Sequence, residues 1–353
     1  MKKFIPLLLA LLMLLPACSP KSLGSSEPPS VETNRPTPAP TPEPTPEPIR
    51  NPLSGEVIDK DISSMRPYAV MINNIDVAQP HCGVSGADII YEVLAEGEIT
   101  RMLAIYSDIA GVGNIGSMRS ARPYYLELAL SYDAIYVHAG GSEQAYSDIS
   151  SKGVNNIDGV RGQYGNEIFY RDKSRQKYGI EHSLFTTSEK LLEYTPKLGY
   201  RTEHNGSFDY GMRFTDELTM GDSASTAATV NVSFAGLKKT DFTYHPETGF
   251  YTGFQYGSDY IDGNTGEAVQ FKNLLVLYAE TQTVDSYGRR AVTLTGTGTG
   301  HYISGGLTIP IRWSHAGTGE PFIYSREDGS ELELAVGKTY IGIVPTESTI
   351  TIQ

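Results

Sequence analysis

The chain has 353 residues, 39% hydrophobic and 10% aromatic, which at roughly 150 residues per domain suits two domains with real cores and excludes collagen-like, wholly disordered and polytopic membrane chains. Its 28 Lys and Arg against 41 Asp and Glu leave a net charge of −13, about −15 once a leader carrying Lys2 and Lys3 is removed. Binding along a nucleic-acid backbone needs a basic surface for counterion release, so nucleic acid is not an expected partner.

Met1-Lys2-Lys3 forms a short positive n-region, and Phe4 to Leu15 is an apolar run interrupted only by Pro6. Such a run reaches roughly 18 Å as a helix against a hydrocarbon core of about 30 Å, so it reads as a signal-peptide core rather than a permanent span. Leu15-Pro16-Ala17-Cys18 is similar to a bacterial lipobox. On that reading residues 1–17 are a lipoprotein signal peptide, and the mature chain starts at a lipidated Cys18 that anchors it to the membrane.

Residues 18–52 read as a disordered tether. Eleven of the 21 prolines lie between residues 20 and 52. With φ fixed and few apolar groups, such a stretch prefers polyproline II at about 3.1 Å per residue and extends to on the order of 100 Å. The one other cysteine is Cys82; with Cys18 acylated, no intramolecular disulfide is expected and the core must supply the stability.

Residues 53–215 mix short β-rich runs with helical ones. Tyr68 to Ile72 reads as a buried strand, and Ile89–Ala95 and Ile99–Tyr106 read as a hairpin around Glu96-Gly97-Glu98. In that hairpin Glu92 and Glu96 are expected on one strand face, where Arg101 neutralises one of them. Tyr124 to Tyr132 is helix-like, Ala134 to His138 strand-like, and further helices start at Ser142 and, capped by a hydroxyl, near Thr187. This alternation predicts a mixed α/β domain. Residues 228–353 are β-rich, with strands expected at 229–234, 271–278, 291–294 and 340–344 and a hairpin over Tyr244–Phe254. Gly296 to His301 is expected as a turn or bulge, since no helix follows to make it a phosphate loop. The predicted fold class is therefore α+β or α/β, with a mixed N-terminal domain followed by a mostly β C-terminal one.

Three polar clusters are candidates for a site. Ser117-Met118-Arg119-Ser120-Ala121-Arg122-Pro123 precedes a helix, where free N–H groups and the guanidiniums of Arg119 and Arg122 suit a carboxylate or phosphate. His138-Ala139-Gly140-Gly141-Ser142 lies where a strand meets a helix, a position that lines ligand crevices in open α/β sheets. Arg171 and His182 return in a later loop. The candidate ligand-binding set is Arg101, Arg119, Ser120, Arg122, His138, Gly140, Gly141, Ser142, Arg171 and His182. Ser142 with His138 or His182 is an alternative hydrolytic set, although the surroundings of Ser142 do not form a nucleophile elbow. The scattered histidines lack zinc-site spacing, so neither a metal nor another cofactor is expected. Trp313 and His315 are candidates for an aromatic sugar platform or for core.

Arg66-Pro67-Tyr68-Ala69-Val70-Met71-Ile72-Asn73-Asn74, Gly116 to Arg122, His138 to Ser142 and Asp285-Ser286-Tyr287-Gly288-Arg289-Arg290 together resemble the YerB-like lipoproteins, over nearly everything after residue 55. The resemblance implies two domains behind a lipoprotein leader and an envelope role, and it carries over no catalytic residue. Glu98 stands where the family pattern leads us to expect a glycine, and Ser183 where it leads us to expect Asn. The combined reading is a non-enzymatic lipoprotein, lipid-anchored on the extracytoplasmic face of the cell membrane. It would bind an anionic envelope ligand, such as a cell-wall component, or an envelope protein. An envelope hydrolase and a scaffold for other envelope proteins are the alternatives.

Overall fold

The computed structural model describes residues 48–353. The expected signal peptide, Cys18 and all but the end of the expected tether lie outside the described residues. Among the described residues, no helix is long and apolar enough to cross a membrane.

Tyr68–Asn74 (β1) is buried along its whole length: the apolar run Tyr68 to Ile72 suits a central strand, and Asn73 and Asn74 are buried with it. Ile89–Glu96 (β2) and Ile99–Tyr106 (β3) form the expected hairpin, and β1 pairs antiparallel with β3. These strands lie inside an eleven-stranded sheet. On one side Ile135–His138 and then Asn156–Asp158 continue it in parallel. On the other side, Thr339–Pro345 runs parallel to both β2 and Asn273–Ala279, and Gly296–Ser304 and Leu307–His315 follow. The N-terminal and C-terminal segments thus share one sheet. Thr339–Pro345 is buried throughout, the state of a parallel strand covered on both faces.

One face of the sheet carries Met71, Tyr91, Val93, Leu103 and Ile105 and packs against Tyr124, Tyr125 and Leu128 of the helix Pro123–Leu130 (α1). The other carries Val70, Ile72, Ile90, Leu94 and Met102. It is covered by a second, antiparallel sheet that includes Thr229–Ala235, Lys238–His245 and Phe250–Gln255. The Phe242 ring lies 4.6 Å from that of Tyr340 across this layer.

Two local expectations are corrected. The β2–β3 register passes from Leu94 opposite Thr100 to Glu96 opposite Ile99, so a bulge at Ala95 turns Glu96 onto the face of Arg101 and leaves Glu92 on the opposite face. The two glutamates therefore do not share a face. Gly296 to His301, expected as a turn or bulge, instead lies in a nine-residue strand, Gly296–Ser304. Gly298 sits opposite Trp313, and a Cβ there would lie 2.4 Å from the indole nitrogen, so a missing side chain makes room for a ring. Trp313 is buried and donates to the Tyr278 carbonyl, and His315 stacks on Phe322, so both belong to the core.

Candidate functional site

Residues 117–121 are laced between β1 and the Gly-Gly turn. The Asn73 N–H donates to the Ser117 carbonyl and the Arg119 N–H to that of Met71. On the other side the Ala139 N–H donates to Arg119, Ala121 to Gly140 and Ser142 to Ala121. Backbone pairing alone therefore brings the first two polar clusters together. Pro123 opens α1 after an extended Arg122, its fixed φ being suited to a first helical residue. Ser142 caps the helix Glu143–Ser151 (α2), its Oγ accepting the Ala145 N–H at 3.2 Å. Two helix N-termini, each a locus of partial positive charge, thus lie at neighbouring points.

The arginines divide by partner. Glu96 accepts from Arg101 Nη2 at 2.7 Å on one oxygen and from Arg122 on the other. Arg101 also donates to the Ser120 carbonyl and Arg122 to that of Ala121. Both side chains are buried, and the Nε of each has no partner among the described residues. Arg119 makes no side-chain hydrogen bond or ion pair among the described residues. Burial, and then the nearby Arg101 charge, brings its pKa down to about 10.

His138 is fully buried. It joins the Gly140 carbonyl through Nδ1 at 2.8 Å and Asn156 Oδ1 through Nε2 at 3.1 Å, and it stacks on Tyr136. His182 Nδ1 faces Asn73 Nδ2 at 2.9 Å. Since the amide nitrogen can only donate, Nδ1 accepts and the proton of a neutral ring sits on Nε2, toward Glu181 at 3.5 Å. Burial and then Arg119 push the His182 pKa down. No hydrogen bond joins Ser142 to either histidine among the described residues. Arg171, expected in a loop, ends the short strand Phe169–Arg171; it is exposed and bonds to Ile180 and Ser183 of the segment that follows.

A cavity of about 370 Å³ opens beside the start of α1, lined by Arg122, Pro123, Tyr124 and Ser142 on one wall and by Val284, Arg289 and Arg290 on the other. The second wall is a two-stranded hairpin, Thr281–Thr283 with Arg290–Val292. It docks on the β2–β3 turn through a bridge between Glu96 and Arg289 and through Arg290, which donates to the Gly97 carbonyl at 2.6 Å. Arg289 pairs with Asp285 at 3.0 Å. Among the described residues Arg290 meets only neutral acceptors, the Gly97 carbonyl and Thr283 Oγ1. Arg289 and Arg290 were absent from the sequence-derived set. Their motif is visible in the sequence, but nothing local connects it to Arg122.

Residues 53–201 match the N-terminal domain, and residues 230–341 the C-terminal domain, of the family described as protein of unknown function DUF3048. The chain belongs to this family. A relative, "Putative lipoprotein YerB" of Bacillus subtilis (strain 168), is 30% identical over 301 residues, covering 83% of this chain and 85% of the relative. The crystal structure of the YerB protein from Bacillus subtilis superposes with a TM-score of 0.73 at 28% identity, covering 86% of this chain and 99% of that one. The cavity of this DUF3048 chain spans both matched regions, with Arg122 and Ser142 in the first and Arg289 and Arg290 in the second.

Proposed function

We propose that this protein is a lipid-anchored lipoprotein on the extracytoplasmic face of the bacterial membrane, and that its cavity beside α1 holds an anionic envelope ligand without chemical turnover. The observation that carries this reading is the convergence of Arg122, Arg289 and Arg290 with the N-termini of α1 and α2 on one cavity. Glu96, Asp285 and the cavity-lining Glu127 offset part of that charge, and among the described residues Arg290 has no anionic partner. Guanidiniums suit phosphate and carboxylate through paired N–H donors, and helix N-termini add unpaired backbone N–H groups. Tyr124, Val284 and Val292 give the same cavity apolar wall, so the ligand pairs an anionic group with a less polar body.

The test is a thermal-shift titration of the full chain in detergent with glycerol-phosphate oligomers, muropeptides and simple anions, beside an Arg289→Ser/Arg290→Ser variant. At a hundred times its Kd a ligand adds about 2.7 kcal/mol, a shift of several degrees. The expected result is a shift with one anionic class that disappears in the double variant and persists in Arg171→Ser. A shift unaffected by the double variant, or none with any anion, removes this reading in favour of a protein partner.

A further inference from the structure

On the sheet face away from this cavity, Glu92 of β2 is completely buried and its two oxygens take five donors. Oε1 receives Lys238 Nζ at 2.9 Å, Asn74 Nδ2 at 2.9 Å and Thr100 Oγ1 at 2.7 Å. Oε2 receives Thr240 Oγ1 and the Tyr340 hydroxyl. Asn74 closes β1 in the N-terminal segment, and Lys238 opens its strand in the C-terminal one. Both side chains are buried, and Asn74 Oδ1 has no partner among the described residues. The Tyr256 ring centre stands 4.6 Å from Lys238 Nζ and that of Phe234 6.0 Å, and the Tyr256 hydroxyl donates to the Asn74 carbonyl. An amine and a carboxamide thus share one carboxylate oxygen in a pocket walled by aromatic rings. As an ion pair alone this costs desolvation that apolar packing would avoid.

We infer that Lys238 and Asn74 condense into an intramolecular isopeptide bond with Glu92 as the proton carrier. Glu92 takes a proton from the Nζ ammonium, which converts a buried ion pair into two neutral groups and frees the Nζ lone pair. Nζ attacks Asn74 Cγ: the Nζ–Cγ bond forms and the carbonyl π electrons move to Oδ1. Through its two hydrogen bonds Glu92 hands its proton to Nδ2 and takes one from Nζ. The carbonyl reforms, the Cγ–Nδ2 bond breaks and Nδ2 departs as ammonia. Glu92 keeps the proton, so the site ends neutral, and the reaction needs no oxidant or co-substrate. Amine and carboxamide each lie 2.9 Å from one Glu92 oxygen, and gathering the three groups in this way lowers the entropic barrier that makes this condensation slow in solution. Gln255 also contacts Nζ, through Oε1 at 2.9 Å, but its Nε2 has no partner among the described residues to deliver a leaving-group proton. Asn74 is the amide that Glu92 can serve. The bond would join the N-terminal and C-terminal segments covalently in a chain whose one described cysteine is unpaired.

Protease mapping of the full detergent-extracted chain by mass spectrometry decides it. The expected product is a branched peptide joining the Asn74 and Lys238 segments, lighter than their sum by one ammonia and uncut by trypsin after Lys238. The branch is lost in Glu92→Gln and in Asn74→Ala. Recovery of both linear peptides from the wild-type chain at full yield overturns the inference, as does a branch from Lys238 to Gln255. The wild-type map is decisive by itself, so it stands even where a variant fails to fold.

Discussion

The Asp158 carboxylate accepts the backbone N–H of Gly140 at 2.8 Å, fixing the Gly-Gly turn from beneath. The same oxygen accepts the Val160 N–H, and the other takes the Tyr146 hydroxyl at 2.7 Å. Gly140 needs the anchor because it turns in the left-handed region, φ 73°, before the chain enters α2 at Ser142. Asp158 is thus the residue that places the cap of α2 and one wall of the cavity.

Asp158→Ala leaves two N–H groups and a hydroxyl without their acceptor in a site where Asp158 is only 3% exposed. Each such loss costs roughly 1–3 kcal/mol. A fall in melting temperature of several degrees is expected, with a larger loss of ligand affinity than Arg171→Ser produces. Unchanged melting would show that the turn holds itself.

Arg122 and Arg119 separate in a stability assay. Arg122→Ala removes one of the two guanidiniums on Glu96 and should cost about 1–3 kcal/mol. Arg119→Ala removes a cation that has no partner among the described residues and lies near Arg101, so stability should stay within about 0.5 kcal/mol of the wild type. Urea unfolding midpoints at constant m read both.

Acid stability should depend on Asp133. Burial alone would raise its pKa, but His204 and Arg201 hydrogen bonds and the Arg66 charge bring it down to about 2. A carboxyl lowered on folding stabilises the native state above its unfolded pKa, and that stabilisation is lost as pH falls through the folded value. Melting temperature should therefore decline between about pH 4 and about pH 2, less steeply in Asp133→Asn. Asn is suited to the positive φ of 50° at this position, so the turn stays unstrained; the variant loses the charge and one of the two acceptor oxygens that face Arg201 and His204.

His315 predicts the opposite slope. Burial would lower its pKa, but the Glu127 hydrogen bond and charge and the Leu294 and Glu320 carbonyls raise it. A raised histidine stabilises fully below its unfolded pKa and loses that contribution as pH rises through the folded value. Stability should fall as pH rises from about 6.5, and His315→Gln should flatten that part of the curve. Equal pH profiles for the two proteins would exclude the Glu127 contact as its cause.

Local elements were legible because their signals are local. Unbroken apolar runs mark β1 and Ile135–His138, Pro123 marks the start of α1, and Ser142 marks that of α2. The pairing of the first two polar clusters was half-legible, since both flank helix starts, but only strand order sets them side by side. The facing of Glu96 was not legible, because a single extra residue in β2 reverses side-chain direction and no local pattern distinguishes the bulge. Gly296 to His301 read as a turn or bulge rather than strand because glycine encodes both a turn and room for a neighbour, and only the position of Trp313 decides which.

From the sequence alone follow the alternation of strand and helix in the first segment, the β-rich second segment, the expected leader and tether, and the arginines beside a helix start. Periodicity, composition and capping act over a few residues, so a single chain read in order contains them. Tertiary structure alone decided that Thr339–Pro345 inserts beside β2, that Arg289 and Arg290 face Arg122, and that Lys238 and Asn74 meet on Glu92. Those relationships depend on sheet order and register across more than a hundred residues, where burial of whole faces rather than any local preference selects the partner.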